Sequence, residues 1–86
     1  MIFEFDPDKS ITNQVKHEID FVQSQMIWND TYYIEIPLTT TVEVRFLVIG
    51  MINGKYWSGI ITKRGESTRI ISIRRSRKEE IAIYES

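Results

Sequence analysis

The sequence predicts a small α+β domain in which an antiparallel sheet is flanked by an N-terminal helix and a short C-terminal helix. Three observations predict this fold class. In the first third of the 86-residue chain, apolar residues recur every three or four positions, which is the period of an amphipathic helix. After residue 30 the period changes to two, and turn signals separate the alternating runs. Near the C-terminus, Ser76-Arg77-Lys78-Glu79 has the pattern of a capping box, which opens a helix.

The first two predicted elements are an edge strand and a long helix. Residues 2–5 alternate between apolar and polar side chains, as a half-buried strand does. Asp6 can cap the free amides of a helix start, and Pro7 suits the first helical position because it has no amide hydrogen. We predict a helix over residues 8–25, with an apolar stripe facing the sheet and a solvated opposite face. The stripe comprises Ile11, Val15, Ile19, Val22 and Met26, and the solvated face comprises Lys9, Asn13, Lys16 and Asp20.

The rest of the chain predicts a three- or four-stranded meander with two turns. The strands are expected at residues 32–38, 42–49, 56–63 and 68–74. Because Pro37 cannot donate a ladder hydrogen bond, the 32–38 strand is expected at an edge. Asn53-Gly54 predicts a hairpin turn, since both residues tolerate positive φ, and residues 64–67 predict a second turn. A terminal helix is expected through Tyr84. The predicted common core consists of Ile11, Val15, Ile19, Val22, Phe46, Val48 and Ile71.

The composition excludes several classes of protein. The chain has no cysteine, so it can form no disulfide. Its one histidine and its scattered carboxylates show no metal-ligand spacing. It contains no Gly-rich phosphate loop. The longest apolar stretch, residues 46–52, is far shorter than the ~20 residues of a membrane span, and the N-terminus lacks the basic start of a signal peptide. We therefore expect one soluble, cytoplasmic domain over residues 1–86, with no metal, no cofactor and no membrane association.

Charge is divided unevenly along the chain. Residues 1–43 carry two basic and eight acidic side chains, a sum of −6, whereas residues 44–86 carry nine basic and four acidic ones, a sum of +5. Seven of those nine basic residues lie between Lys63 and Lys78, where Glu66 is the only acid. Such a basic segment can bind a polyanion or an acidic partner. The alternative is an ordinary solvated strand edge followed by a charged helix.

Metal-free cleavage of a phosphodiester is the chemistry that these residue types suit best. Cleaving RNA in this way needs a base for the 2′-hydroxyl proton, an acid for the leaving oxygen and cations for the phosphorane charge. The chain offers Lys16 and His17 on the first helix, Arg45, Arg64, Arg69 and Arg74 among the strands, and Glu80 and Tyr84 at the end. Alternatively, His17 is a half-buried histidine bonded to a carbonyl group, and Glu80 is a surface partner of nearby cations. Strict alternation separates Arg69 and Arg74, so a joint site requires a β-bulge or a strand end near Ile73.

Several segments together resemble one family. They are Phe3-Glu4-Phe5-Asp6 with Lys9, Asn13 and Lys16-His17, then Arg45-Phe46-Leu47-Val48-Ile49-Gly50, Thr62-Lys63-Arg64, and Arg69-Ile70-Ile71-Ser72-Ile73-Arg74-Arg75 with Glu80 and Tyr84. In this order and at this length, the pattern resembles the BrnT family of toxins from bacterial type II toxin–antitoxin systems.

The resemblance implies a RelE-like fold and a metal-independent ribonuclease that inhibits translation. It also implies neutralisation by a BrnA-type antitoxin with a ribbon–helix–helix DNA-binding end. We expect the two proteins to form a 2:2 heterotetramer that contacts DNA only through the antitoxin.

Site residues follow from the resemblance position by position. The catalytic candidates are Arg69, Arg74, Lys16, His17 and Arg64, and the accessory candidates are Glu80 and Tyr84. The phosphate-binding candidates, all from the basic C-terminal half, are Arg45, Lys63 and Arg75. Family members usually have Gly after Lys-His and Trp before the first Asp, where this chain has Glu18 and Phe5. We expect Glu18 to prolong the helix and to place a negative charge beside His17. The alternative function is therefore a catalytically inactive, toxin-like protein that docks on an antitoxin or RNA.

Overall fold

The secondary structure comes from a computed structural model, which describes residues 1–39 and 43–86. In chain order the elements are β1 (Ile2–Glu4), α1 (Pro7–His17), a 3₁₀ helix (Gln23–Asn29), β2 (Ile34–Leu38), β3 (Arg45–Ile52), β4 (Lys55–Arg64), β5 (Ser67–Arg75) and α2 (Lys78–Glu85). The predicted α+β class is confirmed. The predicted start of the third strand at Val42 lies outside the described residues. Among the helices of the described ranges, none is long and apolar enough to cross a membrane.

The strands form one sheet in the order β1-β5-β4-β3-β2. Strands β2 to β5 pair antiparallel as a meander, but β1 pairs parallel with β5 through Ile2↔Ser67, Phe3↔Thr68 and Glu4↔Arg69. The prediction of an antiparallel sheet is therefore wrong at one edge. Since β1 and β5 are far apart in the chain, no short turn dictates their relative direction. The predicted edge positions of β1 and of the Pro37 strand are confirmed.

The first helix is shorter than predicted. It begins as expected, with Asp6 Oδ1 accepting from the amide of Asp8 at 2.9 Å. It ends at His17, because Glu18 adopts the left-handed conformation with φ of 62° while its amide donates to the carbonyl of Gln14. A left-handed residue at this point terminates a helix. The expectation that Glu18 prolongs the helix to residue 25 is therefore wrong.

The predicted apolar stripe does not face the core. Its exposed members are Ile11 at 64%, Val15 at 79%, Val22 at 61% and Met26 at 45%. Ile19 alone among the five is buried, because the left-handed turn at Glu18 redirects the chain before it. The prediction that this stripe packs on the sheet is therefore wrong. Ile11, Val15 and Val22, which were also predicted in the core, are exposed.

The face of α1 that contacts the sheet is polar. Ser10 and Asn13 are both buried, contrary to the prediction that Asn13 is solvated. Ser10 Oγ accepts from the amide of Phe21 at 2.9 Å, and Asn13 Oδ1 accepts from the amide of Ile73 at 3.1 Å. These side chains satisfy backbone amides that would otherwise be buried without a partner. Hydrophobic periodicity overlooks such contacts because it treats every polar residue as solvated.

Both predicted turns are confirmed. Asn53 and Gly54 have φ values of 50° and 78° in the β3–β4 connection. Gly65 has φ of 58° between β4 and β5. The predicted strands agree with the observed ones apart from shifts of a few residues at their ends.

The terminal helix α2 begins one residue later than the capping-box pattern predicts. Its N-cap is Arg77 rather than Ser76, and the carboxylate of Glu80 rather than Glu79 accepts from the Arg77 amide, at 2.8 Å. Ser76 Oγ instead lies 2.7 Å from Ser58 Oγ on β4.

The core lies between one face of the sheet and the segment from α1 through the 3₁₀ helix. It comprises Ile19, Phe21, Ile27, Val48, Trp57, Ile61, Ile70 and Ile73. Val48 belongs to it as predicted, and Phe46 packs against it partly buried. Ile71 is only half-buried, because β5 is irregular at this residue.

Candidate functional site

Strand β5 contains a β-bulge at Ile71. The β4–β5 ladder pairs Ile61 with Ile70 and Ile60 with Ser72, so Ile71 is an extra residue on β5. An extra residue reverses the alternation of the side chains that follow it. A joint site of Arg69 and Arg74 was expected to require an irregularity near Ile73, and the bulge lies two residues before that position.

The bulge places Arg69 and Arg74 on the same face of the sheet. Arg69 pairs with Thr62 and Arg74 pairs with Ser58, which are an even number of β4 positions apart. Side chains separated by an even number of positions in a strand share a face, and four strand residues span ~13 Å. The two arginines therefore share a face without forming one compact pair.

An open groove lies between the C-terminal end of α1 and β5, and we name it the α1–β5 groove. It has a volume of about 500 Å³ and is lined by Val15, Lys16, His17, Glu18, Arg74 and Arg75. A neighbouring cavity of about 220 Å³ borders the bulge and is lined by Lys9, Thr12, Asn13, Lys16, His17, Ile71 and Ser72. The structure thus brings together four of the predicted site residues, namely Lys16, His17, Arg74 and Arg75.

The helix itself directs its basic residues at the groove. Lys16 and His17 follow Asn13 by three and four residues, so all three lie on one face of α1. Because Asn13 is buried against β5, this face is the one that meets the sheet. Lys16 and His17 also occupy the last helical turn, where the negative end of the helix dipole favours positive charge.

In the described part of the chain, three basic side chains of the groove have no acidic partner. Within residues 1–39 and 43–86, no carboxylate oxygen lies within 4.0 Å of the side-chain nitrogens of Lys16, His17 or Arg75. The Arg75 guanidinium lies 5.5 Å from the centre of the Trp57 ring. This cation–π contact orients the guanidinium and leaves its charge uncompensated. The groove can therefore accept an anion.

Arg74 differs from its neighbours because a carboxylate already neutralises it. Glu80 is 8% exposed, and its two oxygens accept from Arg74 Nη1 and Nη2, each at 2.7 Å. Glu80 also accepts from Ser58 Oγ at 2.9 Å and from the Arg77 amide at 2.8 Å. The hydrogen bonds from Arg74 are the largest cause that lowers the pKa of Glu80 to about 2, and they raise the pKa of Arg74. We name Arg74, Glu80 and Ser58 the α2 clasp, because they hold α2 against the sheet.

Tyr84 anchors another part of α2. Its hydroxyl donates to Asp30 Oδ2 at 2.7 Å, and the Asp30 carboxylate also accepts from the amides of Tyr32 and Met51. The bond to Asp30 raises the pKa of Tyr84 to about 12. Burial opposes ionisation of Asp30, but its three hydrogen bonds hold the pKa of that carboxyl below its ordinary value. Like Glu80, Tyr84 therefore has a bonding partner within the fold, and it does not line the α1–β5 groove.

A further group of arginines lies on the sheet. Thr62 of β4 pairs with Arg45 on β3 and with Arg69 on β5, so these three residues form a row across the strands. Arg64 lies two positions beyond Thr62 and shares its face. We name Arg45, Arg64 and Arg69 the arginine row. Arg45 has an exposed partner, Glu43, at 3.6 Å, and exposed ion pairs of this kind are weak.

Lys63 lies on the face of the sheet opposite to the arginine row. Its Nζ is 2.9 Å from Glu35 Oε2 and 4.8 Å from the centre of the Phe46 ring. The basic residues between Lys63 and Lys78 are thus divided between both faces of the sheet and α2.

Sequence reasoning gave neither Asn13 nor Glu18 a role in the site: Asn13 was assigned to the solvated face, and Glu18 was considered only as a charge beside His17. Asn13 lines the cavity beside the bulge, and Glu18 lines the groove next to His17. For Asn13 the spacing was the available signal, because a residue three or four positions before Lys16-His17 shares their helix face. What the sequence did not show is that this face is buried.

Potential metal ligands are dispersed in the described part of the chain. No group of three or more His, Cys, Asp or Glu side chains that could hold a metal ion occurs within residues 1–39 and 43–86. The carboxylates of Asp30 and Glu80 instead bind donors of the protein itself.

The chain matches one known protein family. Residues 5–80 match the family described as "Ribonuclease toxin, BrnT, of type II toxin-antitoxin system". Comparison with curated proteins gave no match. The matched segment contains the α1–β5 groove, the bulge and the arginine row, and it ends at Glu80 of the α2 clasp. It covers most of the 86 residues, so the resemblance is confirmed, and the chain belongs to the BrnT family of ribonuclease toxins of type II toxin–antitoxin systems.

Proposed function

We propose that this protein is a metal-independent endoribonuclease that cleaves RNA in the α1–β5 groove and thereby inhibits translation. The observation that carries the proposal is the convergence of Lys16, His17 and Arg75 on one open groove without a carboxylate partner among the described residues. A phosphodiester bound in the groove is negatively charged, and cationic side chains there stabilise the additional negative charge of its phosphorane transition state.

The reaction needs one proton acceptor and one proton donor. The ribose 2′-oxygen attacks the adjacent phosphorus, its proton passes to a base, and the 5′-oxygen leaves and takes up a proton. In our proposal the His17 imidazole accepts the 2′-hydroxyl proton, and water in the open groove protonates the leaving oxygen. Lys16 and Arg75 bind the non-bridging phosphate oxygens. The arginine row lies on the face of the sheet that bears Arg74 rather than Arg75, so in our proposal it binds a more distant phosphate of the same strand. This gives Arg69, Arg64 and Arg45 a role away from the reacting bond.

The proposal includes the partners that the family implies. A BrnA-type antitoxin neutralises the protein in a 2:2 heterotetramer, with DNA contacted only through the antitoxin, and the pair acts in the cytoplasm. Membership of a toxin–antitoxin family supports this part of the proposal. We also propose that the chain forms one domain over residues 1–86 with a RelE-like fold.

The test is cleavage of single-stranded RNA by the purified protein with all metals chelated. We expect Lys16→Ala and Arg75→Ala each to lose ~10²–10³ in rate, as enzymes that lose a transition-state donor do. Arg69→Ala should instead raise KM with a smaller change in kcat, because Arg69 binds a phosphate away from the reacting bond. The control is Lys78→Ala, since Lys78 is an exposed cation of α2 that lines neither the groove nor the arginine row. Equal rates for wild type, Arg75→Ala and Arg69→Ala contradict the proposal.

The second candidate function is binding without cleavage. Glu18 favours it, because this acidic side chain lines the groove beside His17 where a phosphate has to approach. The two functions differ in one measurement. A wild-type protein that binds RNA in a salt-dependent way, yet yields no product even with ribosomes present, is a binding protein.

A further inference from the structure

Asn13 links α1 to β5 where the sheet loses its outer strand. In the described residues, β1 pairs with β5 only as far as Glu4↔Arg69, so the outer edge of β5 continues without a strand beside it. The Ile73 amide donates to Asn13 Oδ1 at 3.1 Å. Asn13 Nδ2 donates to the carbonyl of Ile19 at 2.8 Å. One side-chain amide therefore joins the helix, the segment that follows it and the bulged strand.

The chemistry of the two partners determines the orientation of this amide. Oδ1 can only accept and Nδ2 can only donate, so a flipped amide would set donor against donor at Ile73 and oxygen against oxygen at Ile19. Asn13 is 6% exposed, which leaves little room for water to replace either bond. Neither a carboxylate nor an aliphatic side chain of the same size satisfies both backbone groups.

The link lies next to both walls of the groove. On α1, Lys16 and His17 come one helical turn after Asn13 on the same helix face. On β5, Arg74 and Arg75 directly follow Ile73. The helix ends just beyond, at the left-handed Glu18, and the bond to Ile19 holds the chain after that turn.

We propose that Asn13 is a positioning residue, which sets Lys16 and His17 on one wall of the α1–β5 groove relative to Arg75 on the other. This inference rests on the proposed function, in which the groove is the place of RNA cleavage. Asn13 acts through the two walls and contacts no substrate. Small displacements of catalytic groups are costly, since a shift of about 1 Å can lower a rate by about 10²-fold.

The experiment compares Asn13→Ala with Ser10→Ala. Both changes remove a buried side-chain hydrogen bond from the same face of α1, but Ser10 bonds to Phe21 and not to β5. We expect both variants to have a lower Tm. Asn13→Ala alone is expected to lower kcat per folded molecule, by about 10- to 10²-fold with a smaller change in KM. It alone is also expected to speed hydrogen exchange at the Ile73 amide.

A second variant covers the case in which Asn13→Ala does not fold. Asn13→Asp keeps the acceptor for the Ile73 amide and removes the donor to Ile19, so we expect normal protection of Ile73 and a smaller loss of kcat. Combining Asn13→Asp with Arg75→Ala should give a loss of kcat that is less than the product of the single losses, because both changes act on the same groove.

Each outcome decides the proposal. Equal kcat per folded molecule in Asn13→Ala and Ser10→Ala overturns it, and so does unchanged hydrogen exchange at the Ile73 amide in Asn13→Ala. If the wild-type protein cleaves no RNA, the proposed function fails, and the amide chemical shifts of Lys16, His17 and Arg75 then test the positioning alone. Shifts in both walls for the Asn13 variant but not for Ser10→Ala support it, and equal shifts in the two variants overturn it.

Discussion

The α2 clasp and the α1–β5 groove meet at Arg74 and use charge in opposite ways. In the clasp, Arg74 and Glu80 form two hydrogen bonds of 2.7 Å, and Glu80 accepts two more from Ser58 and the Arg77 amide. In the groove, Lys16, His17 and Arg75 have no carboxylate within 4.0 Å among residues 1–39 and 43–86. Charges compensated within the protein hold a helix in place, whereas uncompensated charges at a surface are available to a ligand.

Two adjacent arginines show how sharply this difference depends on backbone geometry. Arg74 pairs with Ser58 and Arg75 pairs with Trp57, so strand alternation directs them to opposite faces of the sheet. One meets the carboxylate of α2 and the other lies over an aromatic ring. A count of basic residues between Lys63 and Lys78 therefore overestimates the charge that is available for binding.

The largest expected effect comes from breaking the clasp. Arg74→Ala leaves the buried Glu80 carboxylate without its cation, and unpaired buried charges are strongly destabilising. We expect the free energy of unfolding to fall by about 3 kcal/mol, the low end for buried pairs, because the Arg74 side chain is 30% exposed. Chemical denaturation measures it. The matched control is Arg75→Ala, for which we expect a loss of at most about 1 kcal/mol. Equal losses for the two arginines would contradict the comparison.

A smaller effect is expected from acid. Arg74 and the other donors lower the pKa of Glu80 from its ordinary 4.5 to about 2. Because the folded-state pKa is the lower one, the ionised carboxylate stabilises the fold fully above pH 4.5, and this stabilisation is lost as the pH falls toward 2. We expect a loss of about 2 kcal/mol from this group, allowing for solvent screening. The measurement is the unfolding free energy between these pH values. Glu80→Gln should weaken the dependence of the unfolding free energy on pH, whereas the control Glu79→Gln should leave it unchanged. Equal pH dependence in the two variants would show that the α2 clasp is not its source.

The smallest expected effect concerns the groove. Glu18 has φ of 62°, a conformation that costs about 1 kcal/mol for residues other than glycine. Glu18→Gly should therefore raise the free energy of unfolding by about 1 kcal/mol and also strengthen RNA binding, because it removes a negative charge from the groove. Glu18→Gln separates the two causes, since it removes the charge and keeps the conformation. If the Gln variant stabilises the fold as much as the Gly variant, backbone strain is not the reason.

Local signals predicted much of the fold. The Asp6 cap, the Asn53-Gly54 turn and the edge strand with Pro37 are confirmed because each depends on the conformational preferences of a few neighbouring residues. The prediction of which face of α1 is buried was wrong, because burial of that face depends on partners distant in the chain. Asn13 is buried by its bond to Ile73, which is 60 residues away in the chain.

The candidate site divides in the same way. The resemblance identified Lys16, His17 and the arginines as a set, and the basic composition of the C-terminal half indicated an anion site. Their arrangement was not predictable, since the bulge at Ile71 depends on pairing between β4 and β5, and the neutralisation of Arg74 depends on where α2 packs.

By itself, the amino-acid sequence determined the α+β class, the turns, the strands and the family, because short-range preferences and residue identity carry that information. Only the tertiary structure decided which face of α1 is buried, which arginine is compensated and which basic groups share a groove. These outcomes depend on hydrogen bonds between segments distant in the chain. Asn13, Ser10 and Glu80 are each buried by a specific partner rather than by hydrophobicity.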